Sequence, residues 1–569
     1  MPWSVGMTAA GPERLDETTD LFGAFPRLSL EQIQKLEAYG GRRRTHTGEV
    51  LFHAGDIPSE FLVILDGKVA IVERYGNEER VIGVHGPGRF FGELNLYTGQ
   101  PVFVTAVVRE AGEILAVPLD RLRELLSRDV ALGDLIMRAY LLRRSLLIEL
   151  EVGLRIVGSR FSSDTRRLRE FVARNRLPHG FIDVETDKAA DALLRRLGIA
   201  PEETPIVLWR EQVLRNPTNV ELANLLGLRH PTSDTDVWDL VIVGAGPAGL
   251  AAAVYGASEG LTTAVFDAVA TGGQAATSPR IENYLGFPAG ISGTELTERA
   301  VVQAHKFGAQ ISVPAEVVAL EERDGRYAVH LDDGSAIASL SILISTGARY
   351  RKLSVPRLEE FEGVSVYYAA TSVEARACSG GPAIVVGGGN SAGQAALFLA
   401  EHATKVHLVI RSDNPYEDMS RYLVDELQRD PRVDIVLHSE VRELIGDDAL
   451  QAAVLEDHNT GERRTLEARA LYVFIGAEPH VSWLRGLVAL DEHGFIITGP
   501  DSIDSTVNRL AWYLSRSPLP LETSRPGVFA AGDVRSGSIK RVAAAVGEGS
   551  MTVRLVHAHF ETIGASAAR

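Results

Sequence analysis

Hydrophobic and polar positions change rhythm along the chain. Residues 28–150 open with helical spacing in Ser29-Leu30-Glu31-Gln32-Ile33, where Ser29 can cap the helix. Short alternating runs follow, such as Glu60-Phe61-Leu62-Val63-Ile64-Leu65 and Lys68-Val69-Ala70-Ile71-Val72. Gly48, Gly55, Gly67, Gly76, Gly86, Gly88, Gly92 and Gly99 punctuate them. Many short strands with turn residues between them predict a small antiparallel barrel or jelly roll. Beyond Pro118 the spacing is helical to about Val152, with Leu125, Leu126, Leu132, Leu135 and Ile136 as the apolar stripe.

Residues 153–230 read β-α-β-α-β: a strand at 154–157, an amphipathic helix at 164–175, a strand at 180–184, a helix at 189–197, and a strand entered through Thr204-Pro205. A proline at the mouth of a strand lacks the N–H that a ladder needs and marks a special turn or a cis bond. Residues 230–236 are polar and turn-rich and predict a linker. Residues 237–569 alternate apolar strands, glycine turns and alanine-rich helices, with glycine-rich segments starting at Gly244 and Gly387 as the visible duplication.

The length of 569 residues allows about four domains or lobes at roughly 150 residues each. With 45% hydrophobic and 23% charged residues, the chain is neither disordered nor fibrous. A net charge of −17 argues against a general nucleic-acid binder, which needs a basic face for phosphates. Residues 1–14 have no apolar core of a secretory signal, and nowhere do about 18 apolar residues run uninterrupted, so no membrane partner and a cytoplasmic location are expected. Cys378 is the single cysteine. It excludes an intramolecular disulfide, a C-x-x-C centre and a multi-cysteine zinc site, and no metal is expected.

The first glycine segment, Asp239-Leu-Val-Ile-Val-Gly244-Ala245-Gly246-Pro247-Ala248-Gly249, joins an apolar strand to a helix. Gly244 allows the tight turn, Gly246 lets backbone approach a pyrophosphate, and Gly249 lets helix and strand pack closely. The next strand ends at Asp267, where a carboxylate can take ribose hydroxyls. In the second segment, Gly387-Gly388-Gly389-Asn390-Ser391-Ala392, the following strand ends at Arg411-Ser412 instead of an acid. An arginine there can hold a 2′-phosphate, and Arg421 lies further on; a solvated surface charge is the other reading of Arg411.

Two nucleotide folds in one unit suggest a flavin dinucleotide reduced by a nicotinamide dinucleotide, and residues 237–569 closely resemble the low-molecular-weight thioredoxin reductases. The matching segments run in the family's order: GAGPAG at 244–249, GGQ at 272–274, IENYLGFP at 281–288, STGA at 345–348, GGGNSAG at 387–393, FIGAEP at 474–479 and ETSRPGVFAAGDVRSGSIKRVAAAVGEGS at 522–550. The resemblance implies FAD at the first fingerprint and NADPH, with NADH as the alternative, at the second. It implies an FAD-binding domain in two parts, 231–351 and 481–569, flanking a nicotinamide domain at 352–480, and it implies a homodimer. FAD would be held by Gly244, Ala245, Gly246, Pro247, Ala248, Gly249 and Asp267, by Gly273, Gln274 and Asn283, by Val317, Thr346 and Gly347, and by Gly532, Asp533, Arg541, Val542 and Ala543. Gln274 and Asn283 would sit near the isoalloxazine, and Asp533 would hold the ribityl chain. A helix beginning near Ile539 would aim its N-terminus at the flavin N1–C2=O edge. Turn chemistry is the other reading of Gln274 and Asn283, and an N-cap that of Asp533. NADPH would fall to Gly387, Gly388, Gly389, Asn390, Ser391, Ala392, Arg411, Arg421 and Gly476.

One departure from that family decides the chemistry. Its redox C-x-x-C lies before the second fingerprint, where this chain has Gly363-Val364-Ser365-Val366-Tyr367-Tyr368-Ala369-Ala370-Thr371. Tyr368 and Thr371 take the cysteine positions and cannot act as a dithiol, so no catalytic residue is assigned. Cys378 is read as a small buried or surface residue. The family's phosphate arginines are also incomplete, since the pair reads Arg411-Ser412.

Residues 153–230 resemble a thioredoxin or glutaredoxin domain whose first turn, Gly158-Ser-Arg-Phe-Ser162-Ser163-Asp164-Thr165, holds serines where the cysteines belong, with Thr204-Pro205 at the place of the family's cis-proline. Without thiols its expected role is packing or docking. Residues 14–152 resemble a cyclic-nucleotide-binding domain, through Gly48-Glu-Val-Leu-Phe-His-Ala-Gly55-Asp56, Gly67-Lys-Val and the cassette from Phe90 to Ala106. Its pocket would include Gly92, Glu93, Leu94 and Val102; the family's glutamate takes the ribose 2′-OH, but its phosphate arginine is here Val102. Ordinary cyclic-nucleotide affinity is therefore not expected. No helix-turn-helix follows, so a transcription factor is not expected either.

The fold expected is a multidomain α/β chain with two Rossmann-like, three-layer ββα nucleotide-binding domains, preceded by a β-barrel or jelly-roll domain and a small thioredoxin-like α/β domain. The function expected is an FAD-dependent NAD(P)H oxidoreductase of the thioredoxin reductase type that passes electrons from flavin directly to an acceptor. That acceptor is a small molecule such as a low-molecular-weight disulfide, a quinone, oxygen, a ferredoxin or flavodoxin, or a thioredoxin-like protein. The alternatives are a non-catalytic redox sensor signalling through the N-terminal domains, and a reductase of a separate thioredoxin-like partner.

Overall fold

The computed structural model describes residues 16–564, apart from 21, 76, 77, 94, 95, 97, 98, 188, 189, 211, 231–236, 279, 282, 324, 363, 369, 371, 376, 377, 379, 485 and 504–511. The chain forms two compact units that divide between Gly227 and Leu228. Within the first, Ser29 caps the helix Leu30–Glu37 in a capping box with Gln32. A six-stranded antiparallel sheet follows, in the order Gly41–Thr45, Thr105–Pro118, Glu60–Tyr75 and Glu78–His85, with Val50–Phe52 and Phe90–Phe91 paired to the two central strands.

Glu60–Tyr75 is one strand of 16 residues, not the two short runs that the alternation predicts. Its register slips around Asp66 and Lys68. Gly67 sits there at φ +85, where an added Cβ would meet Glu110 O at 2.4 Å. The glycine marks a bulge in a continuous strand instead of a turn between two. The helical tail also divides, into Leu119–Leu126 and Val130–Glu149, because Asp129 caps a second start by accepting from Leu132 N at 3.0 Å.

The α/β part of the first unit has the sheet order Gln212–Arg215, Ile206–Trp209, Leu154–Gly158, His179–Asp183. The last two are parallel, and the other pairings are antiparallel. The helices are Ser163–Arg174, Ala190–Leu197 and Asn219–Leu225, and the Thr204-Pro205 bond is cis. This part is bound to the barrel through buried polar groups. Glu73 of the barrel accepts from Gly153 N at 3.1 Å and from Arg155 Nη2 at 3.2 and 3.3 Å, and the Phe103 and Trp209 rings lie 5.2 Å apart.

The second unit begins three residues earlier than the sequence places it: Leu228 O accepts from Val313 N at 3.1 Å, and His230 N donates to Ser312 Oγ at 3.2 Å. The linker expected at 230–236 lies outside the described residues beyond His230. The main sheet runs Gln310–Ser312, Thr263–Phe266, Val237–Val243, Ala336–Ile344, Arg326–Leu331, Val317–Arg323, and Val528–Ala530 joins Ala336–Ile344 in parallel. A second, parallel sheet runs Val366–Tyr367, Ala470–Val473, Pro382–Val386, Lys405–Val409, Val433–Val436. A two-stranded ribbon, Ala348–Tyr350 against Ala477–Pro479, carries the chain out to that sheet and back. No helix among the described residues is long and apolar enough to cross a membrane.

Burial, with His230 beside it, pulls the His305 imidazole down to about 4. An unfolded histidine titrates near about 6.5, so on acidification the unfolded chain takes up the proton first. His305 therefore costs nothing above about pH 6.5 and progressively more toward about pH 4. Acidifying from about pH 7 to about pH 5 is expected to lower the urea midpoint of the second unit, and His305→Gln to flatten that dependence. An unchanged slope in the variant excludes His305 as the cause.

Candidate functional site

At the first fingerprint, the strand Val237–Val243 turns at Gly244 into the helix Pro247–Ser258. Gly244 has φ +106, and a Cβ there would meet Ser345 O at 2.4 Å. A Cβ on Gly249 would meet Gly244 O at 1.9 Å, so helix and strand touch backbone to backbone. Gly246 caps the helix and would meet only Gly273 Cα, at 4.0 Å, which leaves the helix N-terminus open. Ala245, Pro247 and Ala248 continue the turn, with Pro247 as the first helical residue. Asp267 stands at the end of the next strand, where it accepts from Ala245 N at 2.8 Å, Val269 N at 2.9 Å and Ala270 N at 3.1 Å. Its carboxylate is thus fixed beside the turn, with lone pairs left for hydroxyls.

The other residues expected around the flavin come from four further segments. Gln274 Nε2 donates to Ala348 O at 2.6 Å, on the first residue of the ribbon. Thr346 Oγ1 donates to His480 O at 3.0 Å, and Gly347 O accepts from His480 N at 3.3 Å. Both expected residues therefore lie where the ribbon begins. Val317 is buried at the start of its strand, whereas Asn283 is exposed. Gly532 N donates to Glu548 Oε2 at 2.7 Å, and Glu548 also pairs with Arg535. Asp533 follows in a short turn, half-buried, with no hydrogen bond to a described residue; burial pushes its carboxyl up. It is not an N-cap of the long helix, which Arg541 caps. That helix is Val542–Ile563, starting after Ile539 because Arg541 is still extended, at φ −139 and ψ 140. Arg541 and Ala543 are exposed at its start, and Val542 is half-buried.

The second fingerprint repeats the turn. Gly387 has φ +148, and its Cβ would meet Phe474 O at 2.3 Å. Gly389 caps the helix Asn390–Ala400 with nothing within 4 Å of an added Cβ, and Gly388 would touch only Ile410, at 3.4 Å. Asn390 Oδ1 accepts from Ser420 N at 2.6 Å and so brings the helix Arg421–Arg429 to the fingerprint. Ser391 is exposed and Ala392 buried. Arg411 and Arg421 are both exposed, and their side chains make no hydrogen bond or ion pair with a described residue. Gly476 accepts from Arg351 N at 2.9 Å at the edge of the ribbon.

Tyr368 is no free phenol: its hydroxyl donates to Glu362 Oε1 at 2.5 Å, and Lys352 Nζ reaches Glu362 Oε2 at 2.7 Å. Burial and then Glu362 push the phenol up, so it stays protonated. Thr371 lies outside the described residues. Cys378 is fully buried; its Sγ donates to Ala375 O at 3.2 Å and receives the Tyr472 hydroxyl at 3.5 Å, and burial pushes the thiol up. Sequence reasoning missed Glu362 and Glu548. Glu548, in the last helix, left no local signal, because its partner, Gly532, lies on another segment.

In the barrel, Gly92 has φ +93 and packs against Glu60 O. Glu93 is buried in an ion pair with Arg143 at 2.7 Å. Val102 is buried, its N–H on Asp56 O and its carbonyl on Gly55 N. Leu94 lies outside the described residues. Arg109 is paired with Glu79.

Residues 238–549 match the pyridine nucleotide-disulphide oxidoreductase family, and residues 42–129 match the cyclic nucleotide-binding domain. The chain is 31% identical over 322 residues to a 34.2 kDa protein in the rubredoxin operon of Clostridium pasteurianum, covering 57% of this chain and 97% of that one. It is 32% identical to the thioredoxin reductase of Streptomyces clavuligerus, covering 55% and 91%. Among solved structures, thioredoxin reductase from T. acidophilum is 30% identical with a TM-score of 0.51, covering 57% of this chain and 99% of that one. The paired fingerprint turns and these matches place the chain in the pyridine nucleotide-disulphide oxidoreductase family, with a cyclic nucleotide-binding domain ahead of its thioredoxin reductase-like part.

Proposed function

We propose that the second unit is an FAD-dependent oxidoreductase that oxidises NADPH, or NADH, and passes electrons to an acceptor with no dithiol of this chain between them. The observation that carries the reading is the pair of open glycine turns, each on a parallel strand and each at a helix N-terminus, on two sheets joined by one ribbon. The residues fit the dinucleotides. Gly246 and Gly389 leave room that a Cβ would fill, Asp267 is held beside the first turn, and Asp533 is half-buried with no hydrogen-bonding partner among the described residues. When bound, FAD supplies hydride acceptance from nicotinamide and electron release to the acceptor. The turn that Gly244 and Gly249 permit would present the open helix N-terminus at Gly246 to the pyrophosphate, and Asp267 would orient the ribose. Arg411 and Arg421 would hold the 2′-phosphate, and the Val542–Ile563 helix would offer its N-terminus to the flavin.

Tyr368 cannot accept a hydride or form a mixed disulfide, and its proton is held by Glu362. The acceptor is a small molecule, a quinone, oxygen, or a ferredoxin-, flavodoxin- or thioredoxin-like protein. Residues 153–230 read as a thioredoxin-like fold, supported by the strand order Gln212–Arg215, Ile206–Trp209, Leu154–Gly158, His179–Asp183. Ser162 there serves as an N-cap, accepting from Thr165 N at 3.4 Å, so the domain is a docking body without thiol chemistry.

Anaerobic reductive titration is expected to take up two electrons per FAD, with Cys378→Ser oxidising NADPH at nearly the wild-type rate. Further equivalents stored in the protein, or lost turnover in the variant, would mean that the buried thiol carries electrons. Arg411→Ala is expected to raise KM for NADPH about three- to tenfold, with little change for NADH, as loss of one exposed charge-assisted contact implies. Equal effects on both would remove the phosphate role. In the barrel, Val102→Arg is expected to tighten cyclic AMP binding about tenfold by calorimetry, if its thermal melt stays cooperative. An unchanged affinity in a folded variant rules out the cassette as the phosphate position.

A further inference from the structure

The loop 411–420 joins the strand Lys405–Val409 to the helix Arg421–Arg429, and both of its ends are tied to the second glycine turn. At its start Val409 O accepts from Gly387 N at 3.0 Å, and a Cβ on Gly388 would come 3.4 Å from Ile410 Cγ2. At its end Ser420 N donates to Asn390 Oδ1 at 2.6 Å. Met419 is buried there against Gly393, whose Cβ would meet its sulfur at 2.6 Å. The loop therefore borders the turn that Gly389 leaves open. In a doubly wound nucleotide fold the end of this strand meets the ribose, so the base on that ribose lies over the residues that follow.

Charge gives this loop little hold on a phosphate. Asp413, Glu417 and Asp418 outnumber Arg411 and Arg421, and all five are exposed. What the loop does offer is a ring. Tyr416 is its only aromatic residue, and it stands 42% exposed instead of joining the core. The ring is nevertheless held. Its hydroxyl donates to Asp425 Oδ1 at 3.2 Å and lies 3.5 Å from Gln428 Oε1, both on the helix Arg421–Arg429. Its backbone N–H donates to Asn414 Oδ1 at 3.0 Å, and Pro415 restricts the backbone just before it. An aromatic ring pinned at its polar end, with part of its surface left to solvent, is preorganised for stacking, because less side-chain freedom is lost when a flat base settles on it. Every base has a π-face, and stacking on an aromatic side chain gains about tenfold or more in affinity.

Resting on the reading of the second glycine turn as a nicotinamide dinucleotide site, we propose that Tyr416 is the stacking platform for the adenine of that dinucleotide. NADP and NAD share the adenine, so the ring serves both alike, whereas Arg411 serves the 2′-phosphate alone. The full chain, loaded with oxidised FAD, is titrated calorimetrically with NADP+ and with NAD+. Tyr416→Ala is expected to weaken both about tenfold and to leave their ratio within about twofold of the wild type. Tyr416→Phe keeps the ring and is expected to bind both within about threefold of the wild type. A merely structural loss would move the loop, carry Arg411 with it and weaken NADP+ more than NAD+. If Tyr416→Ala fails to fold, Tyr416→Leu keeps bulk without a π-face and is expected to weaken both about fivefold or more. The platform is overturned by a folded Ala or Leu variant that binds both like the wild type, by a loss confined to NADP+, or by a Phe variant as weak as the Ala one. A wild type that holds FAD but binds neither dinucleotide removes the nicotinamide site itself, and the platform with it.

Discussion

Close backbone approach at Gly244 and Gly249 is the constraint on which the second unit is built. The helix Pro247–Ser258 rests on its own strand turn with a Cβ-to-oxygen allowance of 1.9 Å at Gly249, which no side chain fits. The long helix Val542–Ile563 then seats on the first one through Gly549, whose Cβ would come 2.1 Å from Ala248 O. Three segments from opposite ends of the unit thus meet through glycine and alanine. Their helix N-termini are held at one edge of the sheet, where partial positive charge can serve an anionic ligand. Larger residues would gain buried area elsewhere but would separate the helices and splay those N-termini.

The first unit is held by a different device. Glu73 is almost fully buried between the barrel and the α/β part, and its carboxylate takes one backbone N–H and the Arg155 guanidinium. Buried ion pairs add little net stability against an apolar isostere, yet breaking one side leaves a charge stranded at a cost of about 3–5 kcal/mol. Such a contact fixes one register between two folds instead of simply gluing them. It gives the small α/β part a demanding structural role.

Local signals were legible wherever backbone geometry dictates residue type. The fingerprint turns, the Ser29 cap and the special Thr204-Pro205 bond could all be read from spacing. Gly67 misled because a glycine in a bulge and a glycine in a turn look alike without the partner strand. The break before Val130 was written in Asp129, and the helix Asn219–Leu225 in Thr218 and Glu221, which form a capping box, but a continuous apolar stripe masked the one and the short length the other. Around the site, Gln274 to Ala348, Glu548 to Gly532 and Arg143 to Glu93 join residues far apart in sequence, so only the fold discloses them.

The ribbon between the two sheets also prescribes an order of assembly. Ile342 pairs with Val528, roughly 190 residues later, so the central strand Ala336–Ile344 leaves the ribosome with half of one edge open. Closing so long a loop at random is entropically slow. The inserted parallel sheet folds from contiguous chain, and Ala348–Tyr350 meets Ala477–Pro479 at its base. Once that ribbon zips, the insertion becomes an internal splint that holds the ends of the detour together. The remaining loop is then short enough for the C-terminal strand and helix to close the parent sheet quickly, before its open edge finds a strand of another chain.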